Sequence, residues 1–197
     1  IALLDSDDEW LPEKLARQWR LVRGGDDAPR LIYSGFEKVG WPRQPSPPTR
    51  RGHVFIDLLE ENFVGTCSTP LVRNQALQSV CGFDTQMRSC QDWDLWLRLA
   101  RQGPFDFVAE TLVRYHHQPD SITMNRAAFV AGHRRLEAKW SRDIDQLPAP
   151  RRARHHLRMG INYYWGRAIG SMVLSFLRAI ACDPPIFIKI LDFLLLR

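Results

Sequence analysis

The spacing of apolar residues along this chain changes period several times, and each change predicts an element. Ile1-Ala2-Leu3-Leu4 is a short apolar run that stops at the acidic cluster Asp5-Ser6-Asp7-Asp8-Glu9. A buried strand running into a polar loop is the pattern of a parallel α/β sheet, where ligands collect at the carboxyl ends of strands. Pro12 stands where a helix would begin, with Glu13 in its first turn, Leu15, Trp19 and Val22 as its apolar face and Gly24-Gly25 as its end. A second strand is predicted from Leu31 to Phe36, then a loop over 40–52, which is rich in Pro, Arg and Gly. Short helices are predicted at His53–Glu61 and Gln75–Val80, with a strand between them at Ser68–Val72 and a turn after them at Cys81-Gly82-Phe83-Asp84. Gln91–Arg101 reads as a helix with Leu95, Trp96 and Leu99 along one side. Phe105–Tyr115 reads as a strand ending in His116-His117, and Asn125–Trp140 as a helix.

Pro148-Ala149-Pro150 marks a boundary. Beyond it Leu157, Ile161, Tyr164, Ala168, Met172, Phe176 and Ile180 recur every three or four residues, which predicts one long amphipathic helix broken at Asp183-Pro184-Pro185. The apolar run from Ile186 to Leu196 carries Lys189 and Asp192 and is too short to cross a bilayer. The expected organisation is therefore an α/β body over 1–147 and a helical tail over 148–197. Because the chain opens on Ile1 inside what reads as a core strand, an internal fragment is expected.

Charge sharpens this division. The chain carries 27 Lys+Arg against 22 Asp+Glu, yet 151–197 alone hold eight basic and two acidic residues, leaving the body near neutrality. A near-neutral body gives no support to a nucleic-acid partner, which needs basic residues on a reading surface. A basic tail with an apolar stripe suits an anionic membrane surface, and suits a solvated helical face equally well. The four cysteines, Cys67, Cys81, Cys90 and Cys182, form no CxxC pair and predict neither a zinc site nor a disulfide framework.

Three constellations can carry chemistry. Asp5 and Asp7, one residue apart after a strand, can share a hard divalent cation that keeps waters and substrate phosphates in its shell. The same triplet also reads as a turn that caps the next helix. In Ser89-Cys90-Gln91-Asp92-Trp93-Asp94-Leu95-Trp96, Ser89 and Asp92 have capping-box spacing. Asp92 in a first helical turn is also kept ionised by the helix dipole, as a general base requires. The two roles are compatible. Asp92 and Asp94 point to different sides of a helix, so one of them is expected to face a site, and the nearby tryptophans offer flat apolar surfaces of the kind sugar faces prefer. His116-His117 can complete a metal shell or lie in a surface loop.

These segments together resemble family 2 glycosyltransferases. IALLDSDDEWLPEKLARQ is similar to that family's FLDADDxWxPxKLExQ strand and loop, GFDTQMRSCQDWDLWLRLARQG to its GFDExxxxxEDxDLWLRLAxxG segment, and VAETLVRYHHQPDSIT to its closing strand. The resemblance covers about 1–125, in the family's order and spacing. Gln91 stands where the family often has Glu, and Gln118 aligns with the usual His of the closing segment. The resemblance implies a partial GT-A fold: a Rossmann-like nucleotide-diphospho-sugar transferase fold, its C-terminal half, without the preceding strands that hold the nucleotide base. It implies metal-dependent, inverting transfer of a sugar from a nucleotide-sugar donor, a UDP-sugar foremost, to a saccharide or lipid-linked acceptor in cell-surface glycan biosynthesis. Asp5 and Asp7 would bind the donor and Mg²⁺ or Mn²⁺, with His117 a further candidate ligand. Asp92 would be the base, and Trp93, Gly65 and Thr66 would border the acceptor. A cytoplasmic location is expected, with peripheral contact at the inner face of the plasma membrane. Two other readings stand beside it. One is a truncated, non-catalytic interaction or membrane-docking module of the same fold. The other is a haloacid-dehalogenase-like DxD phosphatase, which usually has Thr or Val where this chain has Glu9.

Overall fold

The computed structural model describes residues 1–25, 27–39, 45–116 and 125–195. The chain forms two compact units. The first takes in Ile1–Leu58, Asn62–Gln86 and Gln91–Ser121, and the second Leu59–Glu61, Met87–Cys90 and Ile122–Arg197.

The first unit is α/β with a mixed five-stranded sheet, compatible with a Rossmann-like fold. Its strands are β1 (Glu9–Trp10), β2 (Leu31–Val39), β3 (Pro45–Ser46), β4 (Leu71–Val72) and β5 (Phe105–His116). β2 and β5 pair in parallel from Leu31↔Phe105 to Val39↔His116, β1 flanks β5, and β3 and β4 pair with the two halves of β2, all antiparallel. A parallel pair needs a crossover. Here the crossover carries α2 (Phe55–Glu60), α3 (Asn74–Ser79) and α4 (Gln91–Ala100). Trp93, Leu95, Trp96, Leu97, Leu99 and Ala100 of α4 are all buried, so this helix is enclosed on most sides. With Leu31, Tyr33, Val54, Leu58, Val64, Phe105 and Val113 they make the core. Asp94, buried in the same helix, is neutralised by Arg98 at 2.9 Å, whose guanidinium also donates to the carbonyls of Val80 and Gly82 at 2.6 Å each.

Three expectations need correcting in this unit. Among the described residues Ile1–Leu4 joins β4 through the bridge Ala2↔Leu71 and two main-chain bonds between Ile1 and Val72, with Ile1 and Leu4 exposed, and it forms no continuous strand. Helix α1 (Lys14–Trp19) buries Lys14 and Gln18, while Leu15, Trp19 and Val22 face outward, with Trp19 68% exposed. The polar pair is buried together with its partners. Gln18 donates to the carbonyls of Ile32 (2.8 Å) and Thr69 (2.9 Å), and Lys14 donates to Gln18 Oε1 (2.8 Å) with its ammonium over the Trp10 ring. The predicted loop over 40–52 is, from Pro45 on, held against the sheet through β3, the Gly52↔Phe105 bridge and Tyr33, whose hydroxyl donates to the Arg50 carbonyl at 2.8 Å.

The second unit is helical. It comprises α5 (Arg126–Asp145), α6 (Ala149–Trp165), α7 (Ile169–Cys182) and α8 (Ile186–Leu195). Asn125 caps α5 by accepting from the Ala128 N–H at 3.1 Å. The single long helix expected over 157–180 is two helices, because the chain turns at Gly166-Arg167, with Arg167 at φ 56°. The Arg167 and Ala168 N–H groups then bond back to Tyr164 and Tyr163. Ala153, Phe176, Ala179, Ile186 and Ile190 form this unit's core. Glu60 accepts from Arg151 and Arg154, at 2.8 Å each, and Arg158 pairs with Glu61. No helix among the described residues is long and apolar enough to cross a membrane.

Candidate active site

Asp5, Asp7 and Asp8 lie in the loop between Ile1–Leu4 and β1. The loop is pinned from three directions. The Asp5 N–H donates to Ser68 Oγ at 3.0 Å, the Trp10 indole donates to the Ser68 carbonyl at 2.9 Å, and the His116 N–H at the end of β5 donates to Asp8 Oδ1 at 3.2 Å. Thr66 Oγ1 donates to Asp8 Oδ2 at 3.4 Å and accepts from the Ser68 N–H at 2.9 Å. The segment Thr66–Ser68 thus carries the acidic loop, and Trp10 locks the two together.

Asp92 enters the same region from the first turn of α4. Asn62 Nδ2 donates to Asp92 Oδ2 at 3.2 Å, and the same amide donates to the Gly65 carbonyl and accepts from the Gly65 N–H. Gly65 sits at φ 89°, and a Cβ there would stand 2.4 Å from the Phe36 ring, so only glycine fits this turn. Burial pushes the Asp92 carboxyl up to about 6. Hydrogen bonds from backbone N–H groups and Asn62 oppose the shift, and the charge of Asp5 adds to it. Asp5 and Asp92 are therefore within electrostatic reach of one another. Burial also raises Asp5, with Asp8 and Asp7 contributing, and raises Asp8, where bonds from Ser68, His116 and Thr66 work the other way. Cys67 lies among these carboxylates. Burial, then Asp92, Asp5 and Asp8, hold its thiol protonated.

A half-buried set of like charges is stabilised by a cation, so the donor set fits a divalent ion with oxygen ligands. Among the described residues the loop does not bring three ligand atoms within 4.8 Å of one another. A cation here would accordingly draw on one or two carboxylates and fill its shell with water and phosphate oxygens, as Mg²⁺ commonly does.

Of the residues singled out from sequence, Asp5, Asp92, Gly65 and Thr66 belong to one region, with Asp7 acting on Asp5 and Asp8 through its charge. Trp93 is a correction. Its ring is 4% exposed and its indole donates to the Leu58 carbonyl at 2.7 Å, so it packs in the core and offers no face to an acceptor. Trp96 is buried as well. Helix α4 starts at Gln91, one position later than a Ser89 cap requires, and Cys90 adopts φ 58° before it. His117 lies outside the described residues. Sequence reasoning missed Asp8, Asn62, Cys67 and Ser68. Asp8 is visible in the acidic cluster, whereas Asn62 reaches Asp92 across thirty residues of chain and carries no local signal.

No family model matches the chain. It is 24% identical over 128 residues to a Rickettsia felis protein named as an uncharacterized glycosyltransferase. That likeness covers 60% of this chain and 21% of the relative. At this distance it supports a relationship to glycosyltransferases in general.

Proposed function

We propose that this chain is the acceptor-side part of a metal-dependent family 2 glycosyltransferase that moves a sugar from a nucleoside diphosphate donor, a UDP-sugar foremost, to a saccharide or lipid-linked acceptor in cell-surface glycan synthesis. The observation that carries the reading is Asp92. It is a carboxylate raised to about 6, oriented by Asn62 and within electrostatic reach of the acidic loop. A base of that strength is ionised near neutral pH and still accepts a proton.

In this reading Asp92 takes the proton from an acceptor hydroxyl. The acceptor oxygen attacks the anomeric carbon, the carbon–oxygen bond to the diphosphate breaks, and its electron pair leaves with the nucleoside diphosphate. One such displacement inverts the anomeric centre. Mg²⁺ or Mn²⁺ held by Asp5 and Asp7 would offset the charge that develops on the leaving diphosphate. Asp8 carries no substrate here. With its bonds from Thr66 and His116 it fixes the loop's shape. Gly65 and Thr66 border the acceptor side, and the Asn62 amide keeps Asp92 and the Gly65 turn in one geometry.

The test is calorimetric titration of UDP with Mn²⁺ into the full-length protein, beside its Asp7→Ala variant. Binding that requires both the metal and Asp7 supports the reading. UDP binding indifferent to both would remove the acidic loop from the donor site.

A further inference from the structure

The helical unit gathers three ionisable side chains that the reading above does not use. Glu137 lies on α5, and His155 and His156 occupy consecutive positions of α6. One ligand atom from each lies within 4.8 Å of the others. His155 is 2% exposed and His156 9%.

The hydrogen bonds fix which atoms are available. His155 Nδ1 is 2.6 Å from the carbonyl oxygen of Leu59, which can only accept, so Nδ1 carries the proton and donates it. In a neutral imidazole Nε2 then bears a lone pair. That Nε2 is 3.5 Å from Glu137 Oε1. Neither His155 Nε2 nor His156 Nδ1 has a hydrogen-bond partner among the described residues. The other carboxylate oxygen, Oε2, accepts from the Tyr163 hydroxyl, which orients Glu137 and leaves Oε1 toward the histidines.

A nitrogen lone pair facing a carboxylate oxygen in buried surroundings is repulsive unless a cation stands between them. A proton on His155 Nε2 would relieve that one contact and leave His156 unanswered. His156 Nδ1 would remain buried without a hydrogen-bond partner among the described residues. A metal ion would take a nitrogen from each ring and Oε1 together. The Leu59 carbonyl behind His155 and the Tyr163 hydroxyl behind Glu137 are the supports that metal-bound histidine and carboxylate usually have.

We infer that Glu137, His155 and His156 form a binding site for a borderline transition-metal dication, zinc foremost, that staples α5 to α6. Two imidazoles and one carboxylate suit zinc and are poor ligands for Mg²⁺. The site is therefore chemically separate from the acidic loop.

The test uses tag-free protein, stripped with chelator and then equilibrated with ZnCl₂ or CoCl₂. One equivalent of zinc is expected, with zinc-edge X-ray absorption showing imidazole scattering and a raised thermal midpoint. Glu137→Gln, His155→Ala and His156→Ala should each weaken zinc binding roughly tenfold or more. An Asp5→Asn, Asp7→Asn double variant should leave it unchanged, which separates this outcome from the donor-site reading. Substoichiometric zinc in the wild-type protein, absorption spectra without imidazole, or undiminished affinity in the variants would overturn the site. Should a variant fail to fold by circular dichroism, the wild-type spectrum and stoichiometry decide alone.

Discussion

Asp92 and Lys14 are both sunk in protein, and burial moves them in opposite directions, Asp92 up to about 6 and Lys14 down to about 8. Each shift makes a measurable prediction. If Asp92 is the base, kcat/KM rises with pH through an acidic limb near 6, because only the deprotonated form accepts a proton. Asn62 donates to that carboxylate and stabilises its charge. Asn62→Ala should therefore move the limb to higher pH, as read from the full pH–rate profile. Asp92→Asn should lower kcat by about 10²–10⁴-fold while UDP binding changes little. Undiminished turnover would exclude the role. Lys14 has a folded pKa below its unfolded value of 10.5. Between about 8 and 10.5 the unfolded chain holds the proton that the folded chain has lost, so stability rises with pH across that window, by up to about 1.4 kcal/mol per pH unit. Subtracting the pH-dependence of Lys14→Met from that of the wild type, both by denaturant unfolding, isolates this slope.

Elements show where local pattern and tertiary packing agree and where they part. Helix α4 was legible from its LWLRL run, and its burial on most sides follows from its place in the crossover. In α1 the apolar spacing was real but did not choose the buried face, since Gln18 is held by two main-chain carbonyls that no periodicity reports. The same limit explains the α6–α7 turn. Both helices keep apolar spacing and face each other, so the period runs through a reversal without interruption. Their close approach depends on Gly160, where a Cβ would stand 2.2 Å from the Phe176 ring. Gly160→Ala is expected to cost about 1–3 kcal/mol by overpacking, despite alanine's better helix propensity. Thermal or denaturant unfolding of the protein reads this directly, and a neutral or stabilising effect would mean that α7 shifts at no cost.

At the scale of the whole molecule, the α/β unit carries the proposed chemistry and the helical unit carries an uncovered apolar surface. Ile169, Val173, Leu174 and Leu177 of α7 and Phe187, Ile188, Leu194 and Leu195 of α8 are exposed. The excess of basic residues over 151–197 is smaller in effect than its count, because Arg151 and Arg154 share Glu60 and Arg158 pairs with Glu61. Attachment to a membrane would rest on the apolar face first and on charge second. We predict that the protein sediments with anionic vesicles, that the double variant Leu177→Asp, Ile188→Asp does not, and that added salt weakens binding only in part. Equal sedimentation of the two proteins would remove the tail from membrane contact.

The alternation of elements, the acidic loop, the helix that starts at Asp92's turn and the break at the prolines are each written in residues close together along the chain. Folding is needed to see that Asn62 orients Asp92, that Thr66, Ser68 and His116 hold the acidic loop, that Trp93 is core, and that Glu137 meets His155 and His156. These are meetings between residues far apart in the chain. They arise from strand register and helix crossing, and the periodicity of any one segment carries no information about them.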